Sequence, residues 1–251
     1  MSEPILLVTN DDGVYAPGLK ALAAALGPLG TVYVVAPDRE VSACAQSLTL
    51  KTPLRAERID ERVHSVDGTP ADCVNLALVK LLPRRPDLVV SGINRGANLG
   101  EDVFYSGTVG GAREGTFFGV PSIAVSLATR ELSDFVAPAR FVSRLVRRVL
   151  DSGLPGRQLL NVNLPHRPWS EVSGVRITRL GSRVYRDTLI KKVDPRGRDY
   201  YWIGGEDPVW EPREGTDFFA VEAGYISVTP LRLDLTDEHA LEDMRKWNLE
   251  A

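Results

Sequence analysis

A chain of 251 residues and 27.5 kDa can bury a sizeable core and suits one domain with an appendage. Its 25% charged and 43% hydrophobic residues exclude long disordered segments, and a net charge of -3 with a pI near 5.7 excludes a broad basic footprint for nucleic acid. Cys44 and Cys73 form no C-x-x-C pair, no leader sequence follows Met1, and no apolar run reaches the roughly 18 residues of a membrane helix, so a reduced, cytoplasmic setting without a membrane partner is expected.

The first predicted element is a strand over Ile5–Thr9, a short apolar run of the kind covered on both faces in a parallel sheet. A helix over Leu19–Leu26 follows, with apolar residues three and four apart, then a strand over Thr31–Ala36. Ala71–Leu82 reads as a helix started by Pro70 and Asp72, the acid favouring the helix dipole. Next come a strand over Leu88–Ser91, a helix start within Tyr105–Ala112, and a strand over Ser122–Ser126. The helix over Phe135–Leu150 places Phe141, Leu145 and Val149 on one face and leaves Arg144, Arg147 and Arg148 to solvent. A strand over Leu159–Val162 closes the series. This alternation predicts an α/β fold with a mostly parallel sheet flanked by helices, occupying residues 1–165.

The period changes in the extension 166–251. Val184–Val193 and Asp199–Ile203 flank the turn sequence Asp194-Pro195-Arg196-Gly197, which predicts a long hairpin arm. Isolated two-stranded ribbons are marginal in water, so the arm is expected to pack on the main body or on another subunit. A strand over Tyr225–Pro230 and a helix from about Asp237 to Trp247 complete the chain.

Parallel strands bring their carboxyl ends to one edge, where open α/β sheets bind ligands. The first strand ends in Asn10-Asp11-Asp12-Gly13, the second in Pro37-Asp38-Arg39-Glu40-Val41-Ser42, and the third in Ser91-Gly92-Ile93-Asn94. Neighbouring side chains of a strand point apart, so Asp11 and Asp12 can share a cation only if the chain turns, which Gly13 and Pro17 permit. Two adjacent carboxylates repel each other and are neutralised by a cation. His64, His166 and His239 show no helical ligand spacing, so the expected metal is one that prefers oxygen. Asp11, Asp12, Ser42 and Asn94 form a hard set suited to Mg²⁺, Mn²⁺ or Ca²⁺. Beyond Asn98, the run Ser106-Gly107-Thr108 begins a helix whose backbone N–H groups can cradle phosphate beside that cation.

Neighbouring classes fail on spacing. A receiver domain needs a third acid where Asn94 stands, haloacid-dehalogenase phosphatases use Asp-x-Asp, and a dinucleotide-binding domain needs G-x-G-x-x-G after the first strand.

The chain resembles the SurE survival proteins, which are metal-dependent nucleotidases. Thr9-Asn10-Asp11-Asp12-Gly13, Val35-Ala36-Pro37-Asp38 with Ser42, Gly68-Thr69-Pro70-Ala71-Asp72-Cys73-Val74, Ser91-Gly92-Ile93-Asn94 with Asn98, Ser106-Gly107-Thr108-Val109 and Ile226-Ser227-Val228-Thr229-Pro230-Leu231 carry the likeness. It implies a Rossmann-like core, one divalent ion (Mg²⁺ or Mn²⁺) per subunit on Asp11, Asp12, Ser42 and Asn94, and a phosphate pocket lined by Asn98, Ser106, Gly107 and Thr108. It also implies a hairpin arm exchanged between subunits of a homodimer or homotetramer. Some relatives carry Gly-His where Ala45-Gln46 stands here, so a histidine role does not transfer. The expected activity is hydrolysis of nucleoside 5′- (and 3′-) monophosphates, with Asn10 and Asp11 as candidates for holding a water and the attacking group either that water or a carboxylate. The alternatives are a broader phosphatase or exopolyphosphatase, and a nucleotide-binding protein without turnover.

Overall fold

The computed structural model describes residues 3–129, 131, 133–184, 189–203, 209–211, 213–247 and 249. Strand β1 (Ile5–Thr9), buried at every residue, lies in the interior of a nine-stranded sheet, fourth from one edge. On one side it pairs with β2 (Thr31–Pro37), then β4 (Val63–Val66) and the edge strand β3 (Ala56–Asp60). On the other side follow β5 (Leu88–Arg95), β6 (Ser122–Ala128), β7 (Gln158–Pro165), β13 (Ile226–Arg232) and β8 (Val175–Ile177). Pairing is parallel from β4 through β7; β3 runs antiparallel to β4 and β13 antiparallel to β7. The strand order thus leaves β1 in one direction toward β2 and in the other toward β5, which creates a switch point above their carboxyl ends.

Alternation along β1 sorts the layers. Leu6 and Val8 face α1 (Pro17–Leu26) and α4 (Val136–Ser152), meeting Leu19, Leu22 and Leu26 of the first and Val142, Val146 and Val149 of the second. Each such buried side chain contributes about 1.5–3 kcal/mol of transfer free energy. Leu7 faces the opposite layer, with Cys73, Val74 and Ala77 of α2 (Pro70–Leu76) and its π-helical continuation Ala77–Leu81. Helix α3 (Gly107–Phe117) covers β5 and β6 on that same side, sending Val109 and Ala112 toward Ala124. Arg144, Arg147 and Arg148 of α4 are exposed as the pattern predicts, but its fully buried ridge is Val142, Val146 and Val149.

The residues after 165 do not form a separate layer: β13 and β8 extend the same sheet, with Ser227 opposite Asn163 and Arg232 opposite Gln158. The predicted ribbon consists of two antiparallel pieces. One joins β10 (Leu189–Val193) to β11 (Asp199–Ile203), and its turn is tied by Asp194 Oδ1, which accepts from the N–H groups of Arg196 and Arg198 at 2.8 and 2.9 Å. The other pairs β9 (Arg183–Val184) with β12 (Val209–Trp210). Residues 185–188 of the expected strand lie outside the described residues. Helix α5 (Asp217–Glu222), absent from the sequence expectation, precedes β13, and α6 (Glu238–Met244) follows it with the turn Arg245–Trp247.

Candidate active site

The chain turns immediately after β1. Gly13 adopts a φ of +98°, and Asn10 Nδ2 donates to its carbonyl at 3.1 Å, which holds the turn that carries the two aspartates. Two backbone bonds dock the end of β2 on this turn: Val14 N–H donates to Pro37 O at 2.8 Å and Val41 N–H to Asp11 O at 2.9 Å.

Asp11 is 4% exposed and points at the start of α3. Thr108 Oγ1 donates to its Oδ1 at 2.5 Å, and a Cβ on Gly107 would stand 2.9 Å from its Oδ2. Only glycine admits that approach. Burial pushes the Asp11 carboxyl from 3.8 up to about 6, with Thr108 pulling it down and the neighbouring Asp12 pushing it up. Asp12 is half-buried, and its Oδ2 accepts from Arg95 N–H at 3.1 Å. Its carboxyl is also raised, first by burial and then by Glu40, against the hydrogen bond from Arg95 and that residue's positive charge. Asp12, Glu40 and Arg95 line a cavity of about 120 Å³ with Pro17, Gly18 and Phe135.

The pairing of β1 with both β2 and β5 brings the three predicted strand ends to one edge. The individual residues divide. Asn94 Nδ2 donates to Gly96 O at 2.8 Å, which leaves its amide oxygen as the donor atom available to a ligand. Ser42 is exposed, and its Oγ donates to Glu40 Oε1 at 2.9 Å. Ser106 caps α3 by accepting from Val109 N–H at 3.1 Å, so Gly107 and Thr108 form the first turn of the helix. Asn98 is held elsewhere: its Nδ2 donates to Ser126 Oγ at 2.7 Å, its N–H to Asn163 Oδ1 at 2.8 Å, and its carbonyl accepts from Asn161 and Asn163. Those bonds tie the segment after β5 to β6 and β7.

A divalent ion fits the residues present. Asn10 Oδ1 is buried without a hydrogen-bond partner; no cation offsets the burial of Asp11, and Arg95 only partly offsets that of Asp12. Among the described residues no cluster of three or more His, Cys, Asp or Glu side chains forms a site, so a cation here would draw on two carboxylates together with amide and water oxygens.

Several contributors escape a reading by motif. Glu40 and Arg95 adjoin the predicted residues and set the charge around Asp12. The segment after Ser42 holds two non-glycine residues in the left-handed region, Ala43 at φ 57° and Ala45 at φ 55°, and it lies on α3. Ala45 N–H donates to Tyr105 O at 2.9 Å, and Gln46 Nε2 donates to the buried Glu114 at 2.8 Å. Glu114 also accepts from Asn75 Nδ2 at 3.1 Å, which ties α2, α3 and this loop together. Asp72 serves as the predicted helix start: its carboxylate accepts from Thr69 N–H while Thr69 Oγ1 accepts from Asp72 N–H.

An acidic pair at the switch point of a mostly parallel sheet, with Asp11 against a helix amino end, is the arrangement of an α/β protein whose ligand site lies at the carboxyl edge of its strands. The family described as "Survival protein SurE" matches residues 6–187, and the chain belongs to that family. It is 56% identical to the 5′-nucleotidase SurE of Geobacter sulfurreducens over 247 residues, covering 98% of this chain and 94% of the relative. The 5′-nucleotidase SurE of Geotalea daltonii is 52% identical, with 97% and 99% covered. The crystal structure of the Sure protein from Aquifex aeolicus superposes with a TM-score of 0.86 at 46% identity, covering 97% of this chain and 99% of that one.

Proposed function

We propose that this chain is a metal-dependent phosphomonoesterase that hydrolyses nucleoside 5′-monophosphates, and 3′-monophosphates as a secondary substrate, to nucleoside and phosphate. The observation that carries this reading is the contact between the Asp11 carboxylate and the first turn of α3: a cation ligand and an oxyanion cradle share one wall. The names of the relatives, at half or more identical residues over nearly the whole chain, supply the substrate class.

In this reading Asp11, Asp12, Ser42 and Asn94 hold one Mg²⁺ or Mn²⁺ per subunit. A divalent ion, when bound, neutralises phosphoryl oxygens and acidifies water. The N–H groups at Gly107 and Thr108, at the amino end of α3, would bind the same oxygens, with Ser106 fixing the turn; Asn98, expected in this pocket, is engaged instead by Ser126, Asn161 and Asn163. Asn10 Oδ1, buried and unpartnered, accepts a hydrogen bond from the attacking water, and Asp11 takes its proton. Burial pushes the Asp11 carboxyl up to about 6 without the ion, and a divalent ion would hold it ionised at neutral pH.

Residues 1–165 form the catalytic core in this proposal, and 166–251 an extension that joins subunits. The β10–β11 ribbon supports that division, because Leu189, Tyr201, Trp202 and Ile203 are exposed at 66, 59, 61 and 90% and gain burial only against another surface. A homodimer or homotetramer follows. Among the described residues no helix is long and apolar enough to cross a membrane.

Phosphate release from AMP, measured with Mg²⁺ or Mn²⁺ and again with EDTA, tests the assignment. Release that stops on chelation and in Asp11→Asn supports it; metal-free release, or binding of AMP without turnover at any metal concentration, overturns it.

A further inference from the structure

A second cavity, of about 470 Å³, opens along the outer flank of α3, and neither Asp11 nor Gly107 belongs to its lining. Its walls come from α3, the short turn Gly100–Phe104, the residues after β8, and the end of β13. Three guanidinium groups line it: Arg113, Arg179 and Arg232. Asp234 is the one acid in the lining, and its carboxylate already accepts from Thr236 N–H at 2.9 Å. Apolar walls, among them Phe104 and Phe117, complete the enclosure.

Arg113 is the informative residue. It is partly buried on the helix, and no hydrogen bond or ion pair to any described residue engages its guanidinium. Burial alone pushes against its charged form, with no carboxylate to offset the cost. A guanidinium does not shed its proton to relieve that cost, so an unpaired one in a cavity stands ready for an anion. Arg179 and Arg232 are exposed, and Arg232, after the hydrogen bonds from Thr236, also lowers the pKa of Asp234; the three guanidinium groups outnumber the one carboxylate of the lining in a protein whose net charge is -3.

We propose that this cavity is a second binding site, distinct from the metal centre, for an organic phosphate: Arg113, Arg179 and Arg232 take the phosphate, and the apolar walls with Phe104 and Phe117 take its ring. The fork geometry of guanidinium groups suits phosphate oxygens, and the phenyl faces suit a planar, uncharged moiety. Gln46 also lines the cavity while its amide holds Glu114, so a ligand here touches the loop that packs on the amino half of α3.

The test is calorimetric titration of the full-length protein in EDTA, which strips the cation from the first site; the backbone cradle at Gly107 and Thr108 is common to every variant, so the readout is the loss of affinity in the arginine variants relative to wild type. AMP and inorganic phosphate are the probes, and the wild type is compared with Arg113→Met, the exposed double variant Arg179→Gln/Arg232→Gln, and Asp11→Asn. AMP is expected to bind wild type and Asp11→Asn alike, and roughly tenfold or more weakly in the two arginine variants, with affinity falling as salt rises. Inorganic phosphate, lacking the ring, is expected to bind more weakly than AMP. Binding that survives both arginine variants, that disappears in Asp11→Asn, or that is absent at millimolar AMP overturns the site. Equal affinity for AMP and inorganic phosphate overturns the role given to the phenyl walls. Because the readout is binding without metal, its failure leaves the phosphatase assignment standing, and failure of that assignment leaves this site standing.

Discussion

Thr108 Oγ1 stands 2.5 Å from Asp11 Oδ1, joining the first turn of α3 to the end of β1 across 97 residues of sequence. The hydroxyl stabilises the charged carboxylate and so opposes the burial that raises its pKa. Replacing Thr108 with Val keeps the shape and removes the donor. In the metal-free protein Asp11 should then hold its proton to higher pH and compete with the cation, so at subsaturating metal the acid limb of the kcat/KM profile should move upward and turnover at neutral pH fall by about tenfold to a hundredfold. Thr108→Ser, which restores the hydroxyl, should recover most of that loss. A pH–rate profile of the two variants decides the point, since a merely structural role for Thr108 would lower the rate without moving the limb.

The same carboxylate makes the metal-free fold pH-sensitive. Its folded value of about 6 lies above the ordinary 3.8, so the folded state binds a proton more tightly than the unfolded state. Stability from this group is therefore fully present below 3.8 and is lost as pH rises through about 6. Asp11→Asn mimics the neutral form. In EDTA it should raise stability at pH 7 by up to about 3 kcal/mol and change it little at pH 3.5, a contrast that denaturant titration at the two pH values reads directly. Turnover should vanish in the same variant. A variant destabilised at both pH values would remove Asp11 as the buried, uncompensated charge.

What a single chain reveals of such a site depends on how local the signal is. Asn10 to Gly13 is legible because an apolar strand ending in two acids and a turn residue is contiguous, and the Thr69–Asp72 capping box is legible because its bonds span three residues. Asn98 carries no comparable signal. Its side-chain amide donates to Ser126, its backbone N–H to Asn163, and its carbonyl accepts from Asn161, residues that lie 28, 65 and 63 positions away, and nothing in the spacing links them. Strand β3 was not anticipated for a different reason: Ala56–Asp60 is exposed throughout, so an edge strand of this kind has no apolar alternation to read. Glu114 sits on a helix whose start was evident, but its partners Gln46 and Asn75 come from two other segments.

Gly110 gives a prediction whose sign opposes helix propensity. Alanine in place of glycine inside a helix ordinarily adds about 1 kcal/mol of stability. Here a Cβ would stand 2.3 Å from Ala45 O and 2.9 Å from its carbonyl carbon, both backbone atoms of a loop already in a left-handed conformation. Gly110→Ala should therefore destabilise the protein by about 1–3 kcal/mol, the range of overpacked sites, and reduce turnover as the loop moves off α3. Thermal unfolding and AMP hydrolysis on one preparation give both readings. An increase in melting temperature with unchanged activity would show that the loop does not seat against this helix.

Asp217 provides the control that separates stability from chemistry. It is fully buried, and its Oδ1 accepts from the N–H groups of Gly181 and Phe218 at 2.8 Å each, while its Oδ2 accepts from Gly100 N–H at 2.9 Å. One carboxylate thus ties the turn after β5, the segment after β8 and the start of α5. Burial still raises its pKa despite those three donors, so the charge itself adds little at neutral pH and the hydrogen bonds carry the benefit. Asp217→Asn keeps the volume but turns one oxygen into an NH₂ that faces a backbone N–H. The lost acceptor leaves that buried donor unpaired, at a cost of about 1–3 kcal/mol. Melting temperature should fall accordingly, while Mn²⁺ affinity and kcat of the folded fraction stay at the wild-type level because none of the three segments contributes Asp11, Asp12 or Gly107. A kcat loss without a change in stability would place Asp217 in the chemistry instead.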